Sequence, residues 1–362
     1  MKRVLFVGVT AYNLDDRNVH LEKKFAGLSR NLDIFVVARG KPCYKRIWNT
    51  HFYLLPRPFY LPAAIMVSSY LCLFKKIDAV VCQGPLTEGI IGVFLKTLFR
   101  KELIVEIHGD WREGPFVNKK RPFAWALRKI VSLIGRLSLS RADKIRTLTY
   151  IAKSEIEPHF SNKQFFVFPT FTDIDIFLSE KNTSFQKYIC TAAVLSPIKN
   201  IETLVDAFAI IHNKFSDFKL VIAGDGPSRD ELKAKSYKQK AGRSIIFTGR
   251  LSQEEVKYVM KDCYVFVLPS LSEGFGRVFI EAMALGKPAI GSNVGGVPEI
   301  IKDGENGFLI EPKDTQALAL KIEELIIKPM LAHKMGEAGR KFVQENFSNA
   351  KYIKNYVDMI YK

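Results

Sequence analysis

Short apolar runs alternate with amphipathic segments along the whole chain, and this pattern occurs twice. Runs rich in Val, Ile and Phe are typical of strands that are buried on both faces of a parallel sheet. The predicted strands are RVLFVGV, LDIFVVAR, DAVVCQG, ELIVEIHG and KIRTLTY in the first half, and YICTAAVL, FKLVIAG, SIIFTG, YVFVLPS and PAIGS in the second. Segments with helical spacing, such as residues 200–215 and 252–263, lie between them. The order predicts two α/β domains with doubly wound sheets.

The two repeats meet in a polar stretch without periodicity, residues 169–188. We therefore predict a first domain over residues 1–175 and a second domain over residues 186–345. Residues 346–362 have helical spacing, and we expect them to form a helix that packs back on the first domain. A chain of 362 residues is long enough for two separate cores.

Positive charge is concentrated in the first half of the chain. The formal net charge is +17, and residues 1–180 contain 28 Lys and Arg against 16 Asp and Glu. Such a surface attracts nucleic acid, anionic lipid or an anionic substrate. No helix-turn-helix, zinc spacing or aromatic RNA-binding signature accompanies the charge, so no nucleic-acid partner is expected. The five cysteines are scattered and odd in number, which indicates a reducing compartment with neither disulfides nor a zinc site.

Two segments of the first half are candidates for contact with a membrane. Residues 58–74 are mostly apolar, but they are short for a span and contain prolines and serines, which favours a buried or interface-lying segment. Residues 118–144 mix basic and apolar side chains at helical spacing. Such a helix either lies on an anionic membrane or buries its apolar side in the domain. The first residues predict a buried strand and not a signal peptide, so we expect a cytoplasmic protein, peripheral on the inner face of the membrane.

A glycine loop lies where a predicted strand ends and a predicted helix begins. The order is YVFVLPS, LSEGFG and RVFIEAMALG, so Gly274 and Gly276 lie beside the amino end of a helix. This end has unpaired N–H groups and attracts phosphate. Glu273 in the loop and Glu281 in the helix are suitable acceptors for vicinal hydroxyls, as in a sugar ring and a ribose. A second loop at 295–296 repeats the arrangement, which favours a diphosphate ligand over two structural turns.

The stretch SEGFGRVFIEAMALGKPAIGSNVGGVPEIIKDGENGFLI closely resembles the donor-site signature of family 4 glycosyltransferases. LSPIKNIETLVDAF, LVIAGDGPSRDEL and FTGRLSQEEV support the resemblance, which extends more loosely into the first half through IHGDW and RADKIRTLTYIAKSEI. It implies the α/β GT-B fold, with two doubly wound Rossmann-like domains facing a central cleft. It also implies a retaining hexosyltransferase that needs no cofactor or metal ion. The donor would be a nucleoside diphosphate sugar, and the acceptor a surface polysaccharide, lipopolysaccharide or lipid-linked glycan.

The resemblance also implies roles for individual residues. Glu281 would hold the ribose, Glu273 the transferred sugar, and Lys199 the diphosphate. Phe275 and Gly276 would offer backbone N–H groups to the sugar and phosphates. The remaining site residues implied in this way are Gly274, Arg277, Arg250, Gly8 and His108, the last of them near the transferred sugar. Lys199, Gly8 and His108 also have ordinary structural explanations as a solvated lysine, a turn and a core histidine.

One position departs from the family pattern. Val194 is found where relatives have an arginine, five residues before Lys199, so one diphosphate contact is missing. Arg277 or Arg250 would have to compensate, and without compensation the chain would be slow or inactive. Three alternatives remain open, namely a degenerate or non-catalytic binder of nucleotide-sugars, a GT-B epimerase and a phosphorylase. The nucleotide base, the sugar, the acceptor, the linkage and the oligomeric state are not predicted.

Overall fold

The computed structural model describes residues 1–14, 19–112, 124–180 and 184–362. The chain divides into two compact units. The first unit contains Met1–Asp173 together with Asn349–Lys362, and the second contains Ile174–Ser348. The first unit is therefore built from two separate stretches of the sequence.

An eight-stranded sheet forms the centre of the first unit. Its strands are β1 (Lys2–Ala11), β2 (Leu32–Arg39), β3 (Cys43–Ile47), β4 (Thr50–Leu55), β5 (Ala79–Cys82), β6 (Glu102–Ile107), β7 (Lys144–Thr147) and β8 (Gln164–Val167). The spatial order is β3-β4-β2-β1-β5-β6-β7-β8, and every neighbouring pair is parallel except β3 and β4. The five strands predicted in this half are confirmed as β1, β2, β5, β6 and β7.

Strands β3, β4 and β8 lie outside the predicted set. Strands β3 and β4 form a hairpin whose turn residues, Trp48 and Asn49, both have positive φ angles, of 50° and 56°. A two-residue hairpin turn needs this backbone, and glycine is its usual sequence signal. Here Arg46 donates a hydrogen bond to the Asn49 side chain at 2.9 Å. The turn is therefore formed without the residue that would have predicted it.

The second unit contains a six-stranded sheet in which all pairs are parallel. Its strands are β9 (Tyr188–Ala192), β10 (Lys219–Ala223), β11 (Ile245–Gly249), β12 (Val265–Leu268), β13 (Ala289–Ser292) and β14 (Gly307–Ile310). The spatial order is β11-β10-β9-β12-β13-β14, and all five predicted strands of this half are confirmed. The chain leaves β9 first toward β10 and later returns to its other side as β12. This change of direction is the switch point at which open α/β sheets bind ligands.

Helices connect the strands in both units. Their ranges are α1 (Val19–Leu28), α2 (Tyr60–Phe74), α3 (Thr87–Phe99), α4 (Ala124–Arg141), α5 (Tyr150–Ile156), α6 (Asp175–Leu178), α7 (Ile201–Lys214), α8 (Arg229–Tyr237), α9 (Gln253–Lys261), α10 (Arg277–Ala284), α11 (Val297–Ile300), α12 (Thr315–Ile327), α13 (Pro329–Asn346) and α14 (Asn349–Tyr361). The predicted helices at 200–215, 252–263 and 346–362 are α7, α9 and α14. Within the described parts of the chain, none of these helices has both the length and the apolar character needed to cross a membrane.

Two cores lie on the two faces of the first sheet. Leu5 and Val7 of β1 pack with residues of α2, α3 and α4, whereas Val4 and Phe6 pack with residues of α1 and α14. Successive side chains of a strand point to opposite faces, so one apolar run can supply both cores. Tyr356 of α14 lies against Phe6, with ring centroids 5.6 Å apart. The last helix of the chain therefore completes the core of the first unit.

Helix α13 supports the helix that follows the predicted donor loop. Gly336 of α13 lies against the backbone after α10, where a Cβ atom would overlap the Gly286 carbonyl oxygen. Gly339 of the same helix faces Met283, whose flexible side chain would be 3.0 Å from an added Cβ atom. The close approach of α13 thus depends mainly on Gly336.

We expect Gly336→Ala to lower the free energy of unfolding of the second unit by about 1–3 kcal/mol, since a rigid backbone cannot make room for the new methyl group. Gly339→Ala on the same helix is the matched control and should cost less, because the Met283 side chain can move. Differential scanning calorimetry measures both variants. Equal losses would show that the contact with Gly286 does not limit the packing of α13.

Candidate functional site

A cavity of about 770 Å³ lies in the second unit where strands β9, β10 and β12 end. Ala192, Ala223 and Leu268, the last residues of these strands, all line it. The cavity is therefore at the switch point of the sheet. Six of the predicted site residues line it as well, together with Val194, and these are Lys199, Arg250, Glu273, Gly276, Arg277 and Glu281.

The loop that carries Lys199 is tied to the loop that carries Glu273. The Leu271 backbone N–H donates to the Ile198 carbonyl at 2.7 Å, and the Asn200 side chain donates to the Pro269 carbonyl at 3.0 Å. The two loops follow β9 and β12, which are neighbours in the sheet but far apart in sequence. These two hydrogen bonds therefore place Lys199 and Glu273 on the same side of the cavity.

Glu273 accepts two hydrogen bonds at one oxygen of its carboxylate. Lys199 Nζ lies 2.5 Å from Oε1, and the Ser270 hydroxyl donates to the same atom at 2.9 Å. No other described residue donates to this carboxylate, which leaves Oε2 available at the cavity. A carboxylate held in this way can accept hydrogen bonds from sugar hydroxyls while its orientation stays constant.

The second glycine loop supports the backbone of the first. Gly295 has a φ angle of 50°, and a Cβ atom on it would overlap the Glu273 carbonyl oxygen. The Gly296 N–H donates a hydrogen bond to the same carbonyl at 3.1 Å. Neither glycine is among the residues that line the cavity. The sequence pattern suggested a direct role in diphosphate binding for this loop, whereas the structure gives these glycines a packing role that positions Glu273.

Glu281 is nearly buried at the wall of the cavity. It lies in α10, and Arg277 Nε is 3.2 Å from its Oε1 atom. Burial raises the pKa of the Glu281 carboxyl, and the nearby Arg277 guanidinium opposes that rise in pKa. The carboxylate is thus partnered on one oxygen by a side chain that is itself half exposed. Hydroxyl donors of a bound ligand would add further favourable contacts to the charged form.

The loop before α10 presents backbone to the cavity and directs its aromatic side chain inward. Gly276 is the residue before α10 and has a φ angle of 88°. The Phe275 side chain is buried and packs against Phe347, with ring centroids 5.9 Å apart. Gly276 lines the cavity, whereas Gly274 and Phe275 are outside the described lining. Any contact from Phe275 to a ligand would therefore come from its backbone.

Val194 lies at the cavity with an exposed side chain, 64% accessible. Arg250 and Arg277, the two residues expected to compensate for the missing arginine, line the same cavity and are both exposed. Arg277 already contacts Glu281, whereas the contacts of the described residues include no side-chain partner for Arg250. Arg250 is therefore the arginine that is freer to meet a diphosphate.

His108 lies in the first unit, directly after β6. Its Nε2 atom is 2.9 Å from Oε2 of Glu106, a buried carboxylate on the same strand. A carboxylate only accepts hydrogen bonds, so Nε2 carries the proton. Arg146 contacts the other oxygen of Glu106 at 2.6 Å, and the Tyr356 hydroxyl donates to it at 2.5 Å. This network holds the His108 ring through its Nε2 atom.

Glu106 is the residue that the sequence analysis missed. Burial alone would raise the pKa of its carboxyl. The charge of Arg146 and the hydrogen bonds from His108 and Tyr356 outweigh burial, so the pKa of Glu106 lies well below its usual range. The sequence contained one signal for its role, an acidic residue among the apolar residues of the strand ELIVEI. A buried carboxylate in such a strand needs a hydrogen-bonding or charged partner.

Gly8 does not lie at the end of the first strand, as the sequence pattern suggested. Strand β1 continues to Ala11, and its regular pairing with β2 shifts between Val7 and Ala11. The Gly8 carbonyl accepts a hydrogen bond from the Tyr60 hydroxyl at 2.7 Å, and a Cβ atom on Gly8 would overlap the Gln83 side chain. The absence of a side chain thus permits close packing against the end of β5.

Residues 175–342 match the family described as "Glycosyl transferases group 1". The matched stretch lies within the second unit of the chain. A glycosyltransferase of Methanocaldococcus jannaschii is 29% identical over 298 residues, which are 81% of this chain and 78% of the relative. The capsular polysaccharide biosynthesis glycosyltransferase CapM of Staphylococcus aureus is 34% identical over 151 residues, or 42% of this chain and 40% of CapM.

Solved glycosyltransferase structures resemble the whole chain. Sucrose-phosphate synthase of Thermosynechococcus elongatus has a TM-score of 0.80 at 20% identity, covering 100% of this chain and 98% of that protein. HepE of Anabaena, solved in complex with UDP, has a TM-score of 0.76 at 16% identity and covers 99% of both chains. At these identities the likeness concerns the fold alone. It confirms the GT-B class, with two Rossmann-like domains, that the sequence motifs predicted.

No group of three or more His, Cys, Asp or Glu side chains in the described parts of this chain is placed to hold a metal ion. The charged groups at the cavity are instead basic residues and paired carboxylates. Their roles toward a donor, like those of His108 and Gly8 in the other unit, stay predictions.

The Glu106 network predicts how the first unit responds to acid. Because the pKa of Glu106 is lower in the folded chain than in the unfolded chain, its stabilising contribution is complete at neutral pH. The contribution is lost as the pH falls below about 4.3 and through the folded pKa. Glu106→Gln should remove about 3–5 kcal/mol at neutral pH and flatten this acid dependence.

Urea unfolding followed by tryptophan fluorescence tests this, since all three tryptophans lie in the first half of the chain. The control is Asp33→Asn on β2, whose ion pair with Arg3 is partly exposed and should contribute less than about 1 kcal/mol. An acid slope that persists in Glu106→Gln would assign the slope to another group.

Proposed function

We propose that the chain is a retaining, metal-independent hexosyltransferase. It would transfer a sugar from a nucleoside diphosphate donor to a surface polysaccharide, a lipopolysaccharide or a lipid-linked glycan. The observation that carries this proposal is the convergence of Lys199, Glu273 and Glu281 at one cavity, at the switch point of the second sheet. The match of this unit to the group 1 glycosyl transferases supports the same reading.

In the proposed complex, the nucleotide and the sugar bind on opposite sides of the loop before α10. Glu281 accepts hydrogen bonds from the ribose hydroxyls, and the free Oε2 atom of Glu273 accepts from the transferred sugar. Lys199 and Arg250 lie at the diphosphate, where their positive charge stabilises the leaving group as negative charge develops on it. The amino end of α10 adds backbone N–H groups in the same direction.

Retention requires that the new bond form on the face from which the diphosphate leaves. Glu273 is engaged by Lys199 and Ser270, so it is a poor nucleophile for a covalent intermediate. We therefore favour the front-face path. The bond between the anomeric carbon and the diphosphate oxygen breaks, and the acceptor hydroxyl attacks from the same side. The acceptor proton passes to the departing phosphate oxygen.

The acceptor class is proposed from the relatives and from the charge of the first unit. A relative named for capsular polysaccharide biosynthesis supports a glycan acceptor. The positive first half of the chain would attract anionic lipid, so the proposal includes a cytoplasmic location with peripheral contact at the inner face of the membrane. His108, held by Glu106, would lie near the transferred sugar.

A second candidate is a nucleotide-sugar binder that does not catalyse transfer. Val194 favours it, because the exposed valine offers no charge at a position where the resemblance implies an arginine. The two candidates differ in turnover and not in donor binding. An assay of chemistry therefore separates them.

The test of the proposed function is a thermal-shift screen against UDP, GDP, ADP, TDP and their sugar conjugates, with and without EDTA. We expect one base to raise the unfolding temperature in both conditions, and the matching nucleotide-sugar to be consumed. Proton NMR of the product should show the donor's anomeric configuration. Binding without consumption would support the non-catalytic candidate, and loss of binding in EDTA would contradict metal independence.

The ribose role of Glu281 predicts a specific loss of affinity. Glu281→Ala removes a charged acceptor for two hydroxyls, which should weaken nucleotide binding by about 1.5–3 kcal/mol, or more than tenfold in Kd. Isothermal calorimetry with the nucleotide identified in the screen measures it. Glu254→Ala, at an exposed acid in the first turn of α9, is the control. Unchanged affinity in Glu281→Ala would remove the residue from the ribose site.

A further inference from the structure

Three neighbouring helices cover one face of the first sheet. Helix α3 packs against α2 on one side and against α4 on the other. Ala64 and Leu71 of α2, Leu95 of α3 and Leu139 of α4 are buried in the same core. The three helices thus form one layer, and the sides of the helices turned away from this core form its outer surface.

The outer surface of this layer is unusually apolar. Of the 24 large apolar side chains that are exposed in the described parts of the chain, twelve lie on α2, α3 and α4. They are Leu61, Met66, Tyr70, Leu73 and Phe74 on α2, Ile90, Phe94 and Leu98 on α3, and Trp125, Ile130, Leu133 and Leu137 on α4. We name these twelve residues the three-helix face. Scattered apolar side chains need no explanation, but a concentration on adjacent helices marks an interaction surface.

The exposed charges on the three helices themselves have one sign. Glu88 is the only acidic residue on the three helices, and it is buried. The basic residues on and directly after these helices are Lys75, Lys76, Lys96, Arg100, Lys101, Arg128, Lys129, Arg136 and Arg141. Lys96 is paired with Asp143 beyond α4, and Lys129 lies over the Trp125 ring at 5.4 Å. An apolar face surrounded by positive charge therefore needs a partner that is apolar and negative.

We infer that the three-helix face docks this chain onto an anionic lipid bilayer. The apolar side chains would enter the boundary between headgroups and acyl chains, while the Lys and Arg side chains meet lipid phosphates. Trp125 and Tyr70 suit this boundary because their rings have both an apolar body and a polar group. The inference rests on the proposed membrane contact of the first unit, and it assigns that contact to a layer of three helices instead of the single basic segment.

A second copy of the chain is a poorer occupant of the same surface. In a two-fold dimer the same face would meet itself, and its lysines and arginines would then lie opposite one another. Because the helices have no exposed acidic residue, the repulsion would have no compensation from the helices themselves. A bilayer rich in anionic lipid avoids this conflict.

The test is flotation of the full chain with vesicles of phosphatidylcholine alone and of phosphatidylcholine mixed with phosphatidylglycerol. We expect the wild type to float mainly with the anionic vesicles. A triple variant with one change in each helix, Met66→Asp, Leu98→Asp and Leu133→Asp, should reduce the bound fraction, expressed as a partition coefficient, by about tenfold or more. Trp125 fluorescence should shift to shorter wavelength when the wild type binds.

The matched control carries the same number of new acids on the second unit, namely Leu320→Asp, Ile327→Asp and Met330→Asp, at side chains that are equally exposed. It should float like the wild type, because net charge changes equally in the two triple variants. Equal flotation of both triple variants would overturn the inference, as would a wild type that binds no vesicles. A wild-type dimer that the first triple variant alone dissociates, without a change in flotation, would reassign the face to self-association.

Far-UV circular dichroism serves as the folding control for every variant, and nucleotide binding by calorimetry reports on the candidate donor cavity, which lies in the other unit. The calorimetry also separates this inference from the proposed function. Flotation as expected in a chain that binds no nucleotide would leave the docking surface in place and remove the transferase. Turnover of a nucleotide-sugar by a chain that does not float would support the transferase and remove the docking surface.

Discussion

Close contact between loop backbones is the constraint on which the candidate donor site depends. The loops after neighbouring strands of the second sheet touch at positions that have no room for a side chain, as at Gly295 against the Glu273 carbonyl and at Gly224 against the Ala193 carbonyl. Because these contacts are made by backbone atoms, they leave the carboxylate of Glu273 and the ammonium of Lys199 free to meet in the cavity. Glycine at these positions therefore permits the loop packing that positions the side chains of the cavity.

In the first unit, side-chain contacts position the candidate residue His108. A buried carboxylate, Glu106, holds the ring of His108 and is itself held by Arg146 and Tyr356. A buried ion pair is costly to desolvate. Here further hydrogen bonds to the Glu106 carboxylate and from the Arg146 guanidinium offset part of that cost. Arg146 also donates to the Phe168 and Pro169 carbonyls, so the network joins the sheet to the chain beyond β8.

Much of the fold and of the candidate site could be predicted because the relevant signals are local. Ten apolar runs gave ten strands, and the Ser252–Glu255 capping box marks the start of α9. Other features depend on tertiary context. The β3–β4 hairpin turns at Trp48 and Asn49 without glycine. The role of Glu106 depends on partners that are distant in sequence, such as Tyr356. The grouping of apolar side chains across three helices likewise appears only when the helices are placed side by side.

The return of the chain to the first unit has a consequence for biosynthesis. Tyr352, Tyr356 and Met359 of α14 belong to one of the two cores of that unit, so this core is complete only when α14 is in place. Domains generally fold as units while the chain emerges from the ribosome, beginning with the amino-terminal one. In this chain the second unit can close first, whereas one face of the first sheet stays uncovered until residues 349–362 have emerged. The part that is synthesised first is thus the part that is completed last.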